Sequence, residues 1–171
     1  YYALFEGTYL AATPAWLPSV PDGNKAIVLG DRYVMSGGKW VSREKSELVL
    51  TSGVSAAQSG LVQDGWSTVA YSYGYGLTEN GSTITVNQPG TLYASYLFQF
   101  SGMSTVRRFV EIVRGSDGST IARASSGGFE DRINAVAILH CEPGDMVKFN
   151  WYSADSVPRT RNEIRAVLIP D

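Results

Sequence analysis

A jelly-roll β-sandwich carrying a small N-terminal β-appendage is the all-β architecture expected of this chain, on three grounds. The clearest stretch, Gly90–Phe100 (GTLYASYLFQF), alternates with a period of two. Leu92, Ala94, Tyr96, Phe98 and Phe100 form one row, and Thr91, Tyr93, Ser95, Leu97 and Gln99 form the other. Shorter runs of the same kind recur to Ile169, each closed by a turn signal, and none from Trp66 onward carries a helical stripe of about 10 residues. Finally, 18 Gly, 10 Tyr, 6 Phe and 4 Trp among 171 residues make the turn-and-aromatic profile of β proteins.

In chain order, Tyr1–Trp16 has aromatics without periodic order, and Thr13-Pro14 and Leu17-Pro18-Ser19-Val20-Pro21 break regular structure. The start lacks the basic and apolar regions of a signal peptide and reads as a fragment boundary. Ala26–Leu29, Arg32–Met35 and Lys39–Val41 are short strands separated by Gly30-Asp31 and Gly37-Gly38, with Tyr33 and Trp40 sharing one side. So small a ribbon needs a larger body or a partner to dock on. The main domain is expected from residue 44 to 171, after an N-terminal segment of residues 1–43.

Glu47–Leu50 opens that domain, and the Ser/Gly/Ala-rich stretch from Thr51 to Gly65 leaves room for a helical turn around Ala56–Ser59. Strands follow at Trp66–Tyr73, Ser82–Val86 after Asn80-Gly81, and Gly90–Phe100 after Pro89. Arg108–Arg114 turns through Asp117-Gly118 into Thr120–Ala124. Ile133–Leu139 turns through Pro143-Gly144-Asp145 into Met146–Tyr152, and Glu163–Ile169 closes the chain. Two apolar rows from such strands fill a two-sheet core.

Composition excludes several functions. A formal charge of −2 offers no general field for nucleic acid, and Arg107, Arg108 and Arg114 are interleaved with Glu111 and Asp117. No apolar run reaches the ~18 residues of a membrane helix. Cys141 is the single cysteine, so there is no intrachain disulfide and no cysteine metal cluster.

The second half resembles the globular heads of the complement/TNF superfamily. The matching stretches, in order, are Ala70-Tyr71-Ser72-Tyr73-Gly74-Tyr75-Gly76-Leu77, Gly81-Ser82-Thr83-Ile84-Thr85-Val86 and Pro89-Gly90-Thr91-Leu92-Tyr93. Gly115–Ala122 and Leu139-His140-Cys141-Glu142-Pro143-Gly144-Asp145-Met146-Val147 follow, and the resemblance spans roughly residues 66 to 170. Ile84 stands where the family carries an aromatic. The resemblance implies a ten-stranded jelly roll, a homotrimer with apolar and aromatic residues on its threefold axis, protein or carbohydrate ligands, and no enzymatic activity. Asp22–Tyr33 with Gly38-Lys39-Trp40-Val41 resembles a ribbon of bacteriophage tail and fibre proteins. Together these imply the receptor-binding tip of a phage tail fibre or baseplate, located on the virion, with the N-terminus joined to the larger assembly.

Site residues follow from chemistry. Tyr71, Tyr73 and Tyr75 reach one strand end, and Trp151-Tyr152 lie at another, before a loop expected over Ser153–Thr160. Flat rings stack on sugar faces and anchor interfaces; Arg159, Arg161 and Asp155 would add hydrogen bonds from the loop. The expected ligand-binding residues are therefore Tyr73, Tyr75, Trp151, Tyr152 and Arg159, with the core or a subunit interface as the competing place for the rings. Tyr93 and Leu97 are expected at the subunit contact, because a row bearing them is costly as bare surface. His140 and Cys141 point to opposite faces and form no dyad, and Cys141 falls in the apolar row as an inert thiol. Glycoside hydrolysis needs two carboxylates ~5–9 Å apart, and Glu111, Glu130 and Asp131 show no sign of converging. No catalytic residue, metal ligand or cofactor is expected. The expected function is non-enzymatic attachment to a cell-surface carbohydrate or protein; a structural fibre cap or trimerisation module stands second, and a small glycan-degrading enzyme third.

Overall fold

The computed structural model describes residues 23, 25–28, 31–36, 39–42, 44–102, 105–126 and 130–171, the strands before residue 43 by their backbone alone. The expectations for Tyr1–Trp16 and the proline-rich stretch after it lie outside the described residues, and the shared side for Tyr33 and Trp40 concerns side chains outside that description. β1 (Lys25–Val28), β2 (Asp31–Ser36) and β3 (Lys39–Ser42) form an antiparallel sheet in that order, close to the three runs expected.

From residue 46 onward the strands are β4 (Ser46–Ser52), β5 (Gln58–Gln63), β6 (Thr68–Tyr73), β7 (Leu77–Glu79), β8 (Thr83–Val86) and β9 (Gly90–Phe100). They continue with β10 (Arg108–Arg114), β11 (Thr120–Ser125), β12 (Arg132–Cys141), β13 (Met146–Val157) and β14 (Arg159–Pro170). There is no helix among the described residues. One sheet runs β12-β9-β14-β4-β6; the other runs β11-β10-β13-β8-β7, with β5 also paired to β13.

β9 is interior to its sheet, flanked by β12 and β14 along its whole length. Its row Leu92, Ala94, Tyr96, Phe98 and Phe100 is buried against the facing row of β13. Ring centroids lie 5.4 Å apart for Tyr96 and Phe149 and 5.1 Å apart for Phe98 and Trp151. Such edge-to-face and tilted contacts add about 0.5–1.5 kcal/mol each beyond the area they bury. Gly90 starts the strand where a Cβ would stand 2.4 Å from the Ile169 carbonyl oxygen, so only glycine lets β14 approach there. The β7–β8 hairpin is set by Asn80, whose Oδ1 accepts the Ser82 and Thr83 N–H groups at 3.3 and 2.9 Å, and by Gly81 at φ 88°.

Two local expectations are corrected. The helical turn around Ala56–Ser59 is instead the approach to β5, which pairs with the distal half of β13. The loop over Ser153–Thr160 shrinks to Pro158, because β13 runs to Val157 and β14 starts at Arg159. Backbone polarity accounts for both. β13 outruns β8, which pairs only with Met146–Lys148, and β5 supplies partners along the remainder. Pro158 then carries the chain from one sheet to the other.

Candidate functional site

Along β9, the row opposite the core carries Thr91, Tyr93, Ser95, Leu97 and Gln99. Strand register extends it across the whole sheet. Tyr93 lies opposite Ile138 on β12 and Val167 on β14; Val167 lies opposite Glu47 on β4, and Glu47 opposite Tyr73 on β6. The adjacent row is Val136, Ser95, Arg165, Val49 and Tyr71. Ile138 is 63% exposed, Val136 60% and Tyr93 42%; Ile169, Tyr71 and Tyr73 are also exposed large hydrophobics. Ser95, Arg165 and Glu47 interrupt the two rows, and exposed apolar groups clustered this way on one sheet face mark an interaction surface. Leu97 is half-buried, with Asn134 and Glu163 opposite it, so it sits at the polar margin of the face. Tyr73 lies in the same cross-sheet row as Tyr93, and Tyr75 follows in the turn after β6.

Trp151 is 1% exposed, wedged against Phe98 and Phe100, which removes it as an open stacking platform. Tyr152 projects from the opposite face of β13, as strand alternation requires, and stacks on Phe109 with centroids 4.8 Å apart and planes 8° from parallel. The two rings therefore cannot grip one ligand together. On that outer face Glu111 is buried under Arg123, whose Nε and Nη2 donate to Oε2 at 3.0 and 2.6 Å, and Asn150 Nδ2 donates to Oε1 at 3.1 Å. Glu111 is thus a neutralised structural acid.

Arg159 stands at a pocket of about 410 Å³. The pocket opens where residues 53–67 leave β4, cross to pair as β5 with β13, and return to β6 in the first sheet. Arg159 clamps both ends of this excursion. Its Nε donates to the Gly53 carbonyl at 3.0 Å, and its Nη1 donates to Asp64 Oδ1 and to the Gly65 carbonyl. Its backbone N–H donates to Ser55 Oγ, and its carbonyl accepts the Ser55 N–H. Trp151 forms part of the pocket floor, so two of the five expected ligand residues, Trp151 and Arg159, meet here, whereas Tyr73, Tyr75 and Tyr152 do not line it.

Asp64 is the one acid lining the pocket among the described residues, and it is fully engaged. Tyr96 Oη donates to its Oδ2 at 2.7 Å, Asn162 Nδ2 donates to the same oxygen, and the Gly65 N–H donates to Oδ1 at 3.0 Å. Burial pushes the Asp64 carboxyl above its ordinary range against these hydrogen bonds and the Arg159 charge, all of which pull it down. The Tyr96 phenol is held well above its ordinary value by burial first and the neighbouring carboxylate second. A lone carboxylate tied into an ion pair lacks the second acid that sugar hydrolysis requires. No group of three or more His, Cys, Asp or Glu could hold a metal among the described residues. Cys141 is buried, with its thiol pushed up to about 11 mainly by desolvation, which suits packing rather than nucleophilic attack.

The Asp64–Arg159–Tyr96–Asn162 network carried no sequence motif, since its acid and arginine are 95 positions apart. The one signal available was Tyr96 itself. A tyrosine in a buried row needs a partner for its hydroxyl.

No protein-family model matches the chain, and no curated protein matches it in sequence. Among solved structures it is similar to murine APRIL, with a TM-score of 0.57 and 16% identity over 73% of this chain and 99% of that one. It is also similar to the globular domain of zebrafish complement 1qA, with a TM-score of 0.56 and 14% identity over 74% of this chain and 97% of that one. The fold is a TNF- and complement-type jelly roll. The vertex protein of the phage PRD1 has it too, at a TM-score of 0.59 and 12% identity, covering 74% of this chain and 97% of that one. In this jelly roll β4 and β6 to β14 supply ten strands, five to each sheet, and β5 is an eleventh within the excursion.

Proposed function

We propose that this chain is the non-enzymatic receptor-binding head of a phage tail fibre or similar particle, assembled as a homotrimer and attaching to a cell-surface glycan or protein. The observation that carries it is the set of exposed apolar side chains on the outer face of the β12-β9-β14-β4-β6 sheet, led by Ile138 and Val136 on the edge strand β12 and Tyr93 beside them on β9. Burying the exposed part of each large apolar side chain there favours association at about 25 cal/mol per Å² of apolar surface removed from water. Residues 44–171 form the head, and residues 1–43 form the appendage that joins it to the larger assembly. Three copies then present three receptor sites, and weak single contacts gain strength from multivalency. A virion setting is supported by the likeness to a phage vertex protein. No helix among the described residues is long and apolar enough to cross a membrane.

Light scattering tests the assembly: a mass of three times 18.5 kDa is expected, and a stable monomer would sink the reading. Pull-down of the head with whole bacteria tests attachment. Trimers that bind no cell surface would move the assignment to a structural fibre cap, a reading favoured by the same face and by the vertex-protein likeness.

A further inference from the structure

We propose that the pocket held open by Arg159 takes a neutral sugar residue of a surface glycan. This rests on the receptor-binding reading above and names the site and ligand class it leaves open.

The pocket's volume of about 410 Å³ falls within the range of small-molecule sites, roughly 300–1,000 Å³. Its walls are fixed before any ligand arrives. Besides the Arg159 clamp, the Gly65 carbonyl accepts from Ser52 Oγ at 3.1 Å and Asn162 Nδ2 at 3.2 Å, and the Ser67 N–H donates to Ser52 Oγ at 2.9 Å. Preorganisation of this kind spares a ligand the cost of ordering its site.

The charge pattern selects the ligand class. Asp64 and Arg159 are the only charged residues lining the pocket among the described residues, and they are paired with each other. An anionic ligand would have to compete with a carboxylate already seated on the guanidinium, and a cation would have to displace the guanidinium. What remains uncommitted is neutral hydrogen-bonding capacity. The Gln58 side-chain amide and the Ser67 hydroxyl make no hydrogen bond among the described residues. Val54, Val62 and Trp66 give the same walls apolar patches. Donors and acceptors beside apolar surface match the edge hydroxyls and C–H faces of a pyranose ring.

The test titrates 15N-labelled protein with methyl glycosides of glucose, galactose, mannose and N-acetylglucosamine, and separately with a methyl sialoside and with sulfate. At least one neutral glycoside should shift the Gln58 side-chain amide and the Ser67 backbone N–H, and neither anion should. Gln58→Ala and Val54→Trp alter exposed residues and so preserve the fold. Each should weaken that binding about tenfold or more, ~1.4 kcal/mol. Shifts with the anions, shifts confined to other surfaces, no shift with any glycoside, or variants that bind as the parent does would each overturn the proposal. Whole-cell binding separates the two levels. If the parent and Val54→Trp bind cells equally, the pocket assignment fails and the receptor-binding reading stands. If glycosides shift the pocket signals but the head binds no cells, the pocket stands and the receptor-binding reading fails.

Discussion

The Tyr96 hydroxyl donates to Asp64 Oδ2 at 2.7 Å, tying the centre of the longest apolar row in the core to the one acid of the pocket. The core and the candidate site are therefore one mechanical unit. Tyr96→Phe keeps the ring packing against Phe149 and removes only this donor. The variant should lose about 1–3 kcal/mol in urea unfolding. It should also raise the Asp64 carboxyl further, since the lost hydrogen bond is one of those holding it down.

Arg159→Ala should be costlier. It strips the buried Asp64 of its counter-charge and frees both ends of the excursion, at a cost of about 3–5 kcal/mol. Adding Asp64→Asn should restore part of that loss by removing the orphaned charge. Amide exchange should report the structural role directly, with faster exchange at Ser55 and Gly65 than at β9 in the single variant.

The pH dependence has a definite sign. Asp64 keeps its proton to higher pH in the folded chain than in the unfolded one, so the folded state holds the extra proton between 3.8 and the raised value. The contribution of this group to stability is therefore largest below 3.8 and declines as pH rises through that window. Asp64→Asn should flatten this component, which appears as the difference between the unfolding free energies of parent and variant across an acid series.

The apolar face makes its own prediction. Ile138→Asp places a charge at its most exposed large residue on β12 and should drop the scattering mass to 18.5 kDa while the far-ultraviolet circular dichroism stays unchanged. Leu97→Asp should act more weakly, because Leu97 is half-buried beside Asn134 and Glu163 at the polar margin.

Trp151→Ala should fail as a binding variant because it fails as a fold. Removing a ring packed on Phe98 and Phe100 costs about 3–5 kcal/mol. Tyr152→Ala, on the outer face, should cost less in the same unfolding measurement.

Legibility followed the strength of alternation. β9 was readable to the residue because five buried side chains alternate with a polar-aromatic row behind Pro89. β5 was not, because QSGLVQ has no buried row of its own and forms a strand only where β13 outruns β8. The second half of β13, SADSV, reads as loop, yet Ser153 and Val157 are buried by strands distant in sequence. The exposed apolar row was visible through Tyr93, but its reach to Ile138 and Tyr73 depended on register, which a single sequence does not state. For Arg159 the sequence misled about the setting. It was expected in an open loop, and it is the clamp of a buried ion pair.

β14 lies between β9 and β4, although it follows every other described strand in the sequence. On the ribosome, β4 emerges more than a hundred residues before the strand it must pair with. Until residue 170 is released, the sheet is split into a β12-β9 half and a β4-β6 half, each with an open edge and an uncovered apolar row. Closure of this sandwich consequently waits until β14, the middle strand of its sheet, has left the ribosome. During translation, the nascent chain's exposure to misassociation is set by how late β14 arrives.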